Sequence, residues 1–131
     1  MNDQRQILMV LQGKPEEEKK WSVPSGGKLP NETYEACCIR EVWEETGLHV
    51  EIEQEIYVKR NDVIVHYFKV NIVGGSLCIQ DPDELIYEIA WKSRDELKAL
   101  QLSFEEDREL LMNLLIDSTY NDGNEKESVP W

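Results

Sequence analysis

A chain of 131 residues has the length of one domain, and its 40% hydrophobic share can fill a core without disulfide or metal staples. Its 14 basic and 27 acidic residues leave a net charge of -13, which argues against a nucleic-acid partner, since no local basic patch opposes it. No apolar run approaches the roughly 20 residues of a membrane span, and MNDQRQILMV lacks the flanks of an export signal, so a cytoplasmic protein binding neither nucleic acid nor membrane is expected.

Gln6 to Gln12 (QILMVLQ) is a continuous apolar run of strand length, and Gly13 to Lys20 (GKPEEEKK) reads as an exposed loop. Trp21 to Pro24 is a short apolar piece ending in Ser25-Gly26-Gly27, where the backbone can turn sharply or approach a ligand. A helix is expected over Thr33 to Thr46, closed by Gly47. Leu48, Val50 and Ile52 then alternate with His49, Glu51 and Glu53 as in a half-buried strand, and a second strand covers Asp62 to Ile72. Gly74-Gly75 suggests a turn, Ser76 to Gln80 a short strand, Asp81 to Glu84 (DPDE) an acidic loop, and Ile86 to Trp91 a further strand.

Near the end, Ser103 and Glu106 match a capping box before a helix whose apolar stripe is Phe104, Leu110, Leu111, Leu114 and Leu115. The domain is expected to span residues 1–117, with 118–131 a flexible polar tail. Strands on both sides of a single early helix indicate an α+β or α/β/α layered domain. Cys37, Cys38 and Cys78 fit neither a disulfide framework nor a zinc pair and read as small, reduced core residues.

The early helix carries the chemistry. At about 100° per residue, Glu44 and Glu45 lie near 300° and 40° from Glu41, so all three carboxylates share one arc. Val42 and Ile39 fall near 100° and 160°, which places the acids at the border of the core. Like charges so arranged destabilise a helix, the more so when partly desolvated. Either one glutamate stays protonated or a cation neutralises the group. A set of oxygen ligands without His or Cys favours Mg²⁺, with Mn²⁺ as a substitute.

From Gly26 the chain reads five residues, Glu32, seven residues, Arg40-Glu41-Val42, one residue, Glu44-Glu45, one residue, and Gly47-Leu48. This segment, GGKLPNETYEACCIREVWEETGL, resembles the Nudix box at every fixed position, and Trp21, Pro24 and IAWKSRDEL (89–97) extend the likeness over nearly the whole chain. The resemblance implies an α/β/α sandwich with a mixed sheet and a loop-helix-loop metal site. It implies Gly26, Glu41, Glu44 and Glu45 as the Mg²⁺ set, Arg40 as the residue orienting a carboxylate, and Glu32 as a brace between loop and helix.

By the same resemblance the activity is a pyrophosphohydrolase acting on a nucleoside diphosphate linked to another group. A non-catalytic nucleotide-binding regulatory module is the alternative. The base that takes the proton of the attacking water is Glu41, or a late residue, Glu84 or Glu88. His49 and His66 read as structural and Trp43 as partly exposed. Most relatives have a further strand before the one at Gln6–Gln12, for which this chain offers only Met1 to Arg5, so reduced stability or a homodimer covering the gap is expected.

Overall fold

The computed structural model describes residues 1–2, 4–80 and 85–115; Glu84 and the tail expected at 118–131 lie outside the described residues. In chain order the elements are β1 (Ile7–Gln12), β2 (Lys20–Ser22), α1 (Tyr34–Thr46), β3 (Leu48–Arg60), β4 (Ile64–Gly75), β5 (Ile86–Lys92), α2 (Arg94–Ala99) and α3 (Asp107–Leu114). The expected α/β class holds.

β1 reads as an unbroken apolar run because both of its faces are covered. Ile7 and Met9 join Leu97, Leu102, Leu111 and Leu115 in one core cluster, while Leu8 packs against a second formed by Val42, Leu48 and Val50. β1 is also the middle strand of a sheet ordered β2-β1-β5, antiparallel throughout. Between the named strands every pairing is antiparallel, so the mixed character expected of the sheet reduces to one parallel bridge, Trp21 to Leu102. That bridge covers the outer edge of β2: Trp21 N–H donates to Gln101 O, and Ser103 N–H to Trp21 O, each at 2.9 Å.

Among the described residues no strand precedes β1. The chain turns there instead, the Asn2 side-chain oxygen accepting from the N–H groups of Gln4 and Gln6 at 3.0 and 2.9 Å.

α1 starts where Thr33 accepts from Ala36 N–H at 3.0 Å, a side-chain cap for an otherwise orphaned donor. It ends at Gly47, whose φ of 80° suits glycine and whose N–H donates to Trp43 O at 2.8 Å. A Cβ on Gly47 would also meet Ser76 O at 2.3 Å. The neighbour is the segment Ser76 to Gln80, which is not the expected strand. Its N–H groups at Cys78 and Gln80 donate at 2.8 Å to the carbonyls of Thr46 and Glu44, so its hydrogen bonds go to the helix end. Cys78 is exposed there, contrary to the expected core position, whereas Cys37 is buried and Cys38 partly so.

β3 and β4 form one long antiparallel hairpin, in register from Leu48↔Gly75 to Arg60↔Ile64. Gly74 and Gly75 therefore lie within a strand and not at a turn. The pairing shifts at three irregularities, yet burial in β3 keeps alternating from Leu48 to Val58, with polar Gln54 interrupting the apolar series at its inward positions. Val42 of α1 packs on this hairpin through Leu48, Val50 and Val70.

The capping box forms one helix earlier than expected. Ser93 Oγ accepts from Glu96 N–H at 3.2 Å and Glu96 Oε1 accepts from Ser93 N–H at 2.8 Å, opening α2. At α3 the N-cap is Glu106, without a side-chain cap, because Ser103 is engaged with β2. Arg108 of α3 closes α2 by donating to the carbonyls of Leu97 and Leu100 at 2.6 and 2.7 Å. No helix among the described residues is long and apolar enough to cross a membrane.

Candidate active site

The glycine loop and α1 are bound together by one side chain. Arg40 meets Glu32 with two parallel hydrogen bonds, Nε to Oε2 at 2.7 Å and Nη2 to Oε1 at 3.0 Å, the bidentate geometry that fixes both partners. Its Nη2 also donates to Gly27 O at 3.0 Å, and Nη1 reaches Glu41 Oε2 and Glu44 Oε1, both at 3.3 Å. Glu32 Oε1 in turn accepts from Leu29 N–H at 2.9 Å, so the expected brace between loop and helix is present. The Arg40 guanidinium holds the Glu32 carboxyl down to about 2.

Gly26 passes directly over Glu41. A Cβ at Gly26 would lie 1.9 Å from Glu41 Oε2, so only glycine leaves that carboxylate in place. Gly27 differs: a Cβ there would meet nothing within 4 Å, and the close approach expected of both glycines belongs to Gly26 alone. Burial raises the affinity of Glu41 for a proton, Arg40 opposes that rise, and the neighbouring Glu44 adds to it. Glu45 is buried, and its Oε1 accepts from Ser25 N–H at 3.2 Å.

Gly26, Arg40, Glu41, Glu44 and Glu45 thus form one neighbourhood, as the spacing led us to expect. Glu88 does not join it: it is exposed on β5 with its Cα opposite Leu11. Trp43 is half-exposed, its ring stacked 6.2 Å from that of His49. Two contributors carried no signal in the sequence, the Ser25 N–H and the Gly27 carbonyl, because backbone groups are the same at every residue.

Among the described residues no three His, Cys, Asp or Glu side chains enclose a ready ion cage. Glu41 and Glu44 lean to Arg40, and Glu45 is bonded to the Ser25 N–H and to the Glu41 carboxyl. The donor set nevertheless fits a hard divalent cation. It offers carboxylate oxygens beside Gly26, where a Cβ would displace Glu41, and the one thiol in the arc, Cys37, donates to Gly26 O at 3.7 Å and is pushed up by burial, so it stays a thiol.

A long antiparallel hairpin packed on a helix, with an arginine-braced glycine loop at that helix, defines a Nudix domain, and the NUDIX domain family matches residues 1–114. The chain belongs to the Nudix family. It is 30% identical over 99 residues to Putative nudix hydrolase 1 of Caenorhabditis elegans, covering 74% of this chain and 27% of that protein. Over 114 residues it is 32% identical to Putative mutator protein MutT4 of Mycobacterium tuberculosis, 79% of this chain and 45% of the other. Over 100 residues it is 32% identical to the human 8-oxo-dGDP phosphatase NUDT18, 74% of this chain and 31% of the other. The chain therefore spans less than half the length of these relatives.

The fold matches that of an ADP-ribose pyrophosphatase from Streptococcus suis, with a TM-score of 0.70, 18% identity and coverage of 93% of this chain and 87% of that one. A Nudix-family hydrolase from Clostridium perfringens matches with a TM-score of 0.68, 20% identity and coverage of 85% and 88%.

Proposed function

We propose that this protein is a Mg²⁺-dependent pyrophosphohydrolase that cleaves the diphosphate of a nucleoside diphosphate linked to another group. The observation that carries the reading is the Arg40 hub, which ties Glu32, Gly27, Glu41 and Glu44 into one rigid unit. A purely decorative acidic face has no need of such an arrangement. Names of relatives give the same direction, since one is described as an 8-oxo-dGDP phosphatase and one structural neighbour as an ADP-ribose pyrophosphatase.

Glu41, Glu44 and Glu45, with the backbone at Gly26, would hold the metal; Mn²⁺ would substitute. When bound, the ion polarises the diphosphate and stabilises the charge that develops on its oxygens. The chain's own part is positional. Arg40 fixes the directions of Glu41 and Glu44, and the Ser25 N–H fixes that of Glu45. Glu41, which stands within the acidic cluster beside Arg40, is the described candidate to take the proton of the attacking water. Exposed Glu88 is the weaker candidate, and Glu84 lies outside the described residues.

A panel of nucleoside triphosphates, nucleotide sugars and dinucleoside polyphosphates, incubated with Mg²⁺ and assayed for phosphate and pyrophosphate, tests the reading. Turnover of at least one class that stops on chelation is expected. Nucleotide binding without turnover on any of them would replace it by the regulatory-module alternative. Cytoplasmic location and a homodimer belong to the same proposal. Light scattering reporting a monomer would remove the homodimer.

A further inference from the structure

The C-terminal half of α1 is seated on the hairpin by apolar packing of Val42 and Cys38 against Leu48, Val50 and Val70. Its N-terminal turn, which leads out of the glycine loop, is attached differently. There the Tyr34 ring stacks on His66 of β4 with centroids 3.8 Å apart. On the hairpin side Glu55 of β3 meets His66 Nδ1 at 2.5 Å, and Phe68 of β4 lies 6.3 Å from the imidazole. On the loop side the Lys28 ammonium sits 5.7 Å over the Tyr34 ring. Lys28 directly follows Gly27, whose carbonyl is held by Arg40.

Contacts thus run from Glu55 through His66 and Tyr34 to Lys28, whose chain neighbour Gly27 accepts from Arg40, the residue that orients Glu41 and Glu44. Histidine is the side chain that changes charge between about pH 5 and about pH 8. A protonated imidazole in this place gains a charge-assisted hydrogen bond to Glu55 and a cation over the Tyr34 face. Neutral, it keeps only the stack and an ordinary hydrogen bond. The groups facing His66 are Glu55 from β3, Tyr34 from α1 with Lys28 beyond it, and Phe68 from β4 itself.

We propose that Tyr34 and His66 form a clamp that positions the Gly26–Lys28 loop, and that the grip of the clamp follows the charge on His66. Both are positioning residues. Because that loop matters to catalysis only if the acidic cluster is the catalytic site, the clamp's role in the reaction rests on the function proposed above. Coupling of this kind is reciprocal, so whatever orders the loop must also stabilise protonated His66.

The decisive measurement needs no metal and no substrate. In the isotope-labelled full chain, titrated from about pH 5 to about pH 8, the amide resonances of Gly26, Gly27 and Lys28 move with the same midpoint as the His66 ring protons. His66→Phe, which keeps an aromatic stack without a titrating group, loses that movement. Tyr34→Leu leaves His66 titrating and disconnects the loop from it. Loop amides that stand still in the wild type while His66 titrates, or that still move in His66→Phe, overturn the clamp, as does a His66 that does not titrate in that range.

Magnesium alone, added at both ends of the range, then separates the two ideas. Shifts at Glu41 to Glu45 whose ratio of affinities between the two pH values differs between wild type and His66→Phe support the link to the site, and equal ratios break it. Absence of any magnesium-induced shift sinks the proposed function, while the metal-free titration still decides the clamp.

Discussion

Arg40 and Lys59 each gather carboxylates, but to opposite ends. Around Lys59 the groups close on one another: its ammonium donates to Glu106 at 3.0 Å and to Asp107 Oδ1 at 3.2 Å, and Tyr67 Oη donates to the same Asp107 oxygen at 2.6 Å. Tyr67 is pushed up to about 12 by burial and by this bond. Phe104 lies under the Lys59 ammonium at 5.0 Å, and the cluster ties the tip of the hairpin to the first residue of α3. Around Arg40 the short bonds go to Glu32, while Glu41 and Glu44 are reached only at 3.3 Å, longer than a good charged hydrogen bond. Of two polar clusters, the one at Lys59 joins two distant elements of the fold, and the one at Arg40 holds the glycine loop beside two carboxylates.

Mutations should separate these roles, first where the effect is largest. Glu44→Gln or Glu45→Gln removes a carboxylate proposed to hold the ion, so kcat/KM should fall at least about 100-fold, beyond the 10–100-fold typical of groups that merely support ligands. Far-ultraviolet circular dichroism and melting should stay near wild type. Unchanged turnover in both would refute the assigned site.

Gly26→Ala comes next. Its methyl would displace the Glu41 carboxylate, the flexible end of a side chain, so folding should survive while activity drops by about 10–100-fold, as for an ångström-scale misplacement. A large loss of stability with normal kcat in the folded fraction would contradict the close approach of loop to acid.

Lys59→Met works on the other cluster. It leaves Asp107, only 7% exposed, with Tyr67 as its remaining partner. Urea unfolding should show a loss of about 2 kcal/mol, with kcat little changed. A variant as stable as wild type would show that the Lys59 cluster is not what holds the hairpin tip.

The smallest effect concerns pH. The folded Glu32 carboxyl sits near about 2 against an ordinary value of 4.5, so its contribution to stability is complete above that ordinary value. It fades as the pH falls from there toward the folded value. The stability gap between wild type and Glu32→Gln should therefore be constant at neutral pH and narrow below about pH 4.5. A gap that does not narrow in acid would remove the Arg40 pairing as its cause.

The parts that could be read in the sequence are those fixed by neighbours along the chain. Thr33 and Gly47 bound α1 because caps act over three or four residues, and the acids fall on one face because a helix repeats. Ser103 misled for the complementary reason. Its local pattern is that of a capping residue, but Trp21, distant in sequence, engages its backbone N–H, and the working box is Ser93 with Glu96. The length of the hairpin was hidden by Gln54, a polar residue at an inward position of β3, and Gly74-Gly75 looked like a turn because glycine says nothing about a partner strand. Within the site, the glutamates and Arg40 were legible by spacing. The pairings of Lys59 with Asp107 and of Tyr34 with His66 join residues 48 and 32 positions apart, beyond the reach of any local pattern.

The hydrogen bonds from Cys78 and Gln80 to the end of α1 bear on how this domain can be altered. Glu44 and Glu45 stand at the negative pole of the helix dipole, and the last turn has no basic residue to offset it. The N–H groups of Cys78 and Gln80 provide the compensating positive partial charge, and Gln80 does so on the carbonyl of Glu44 itself. Chain length between Gly75 and Gln80 is thereby locked to the backbone of Glu44, one of the glutamates proposed to hold the ion. Residues inserted there would disturb the carboxylates from behind, without touching a single member of the box.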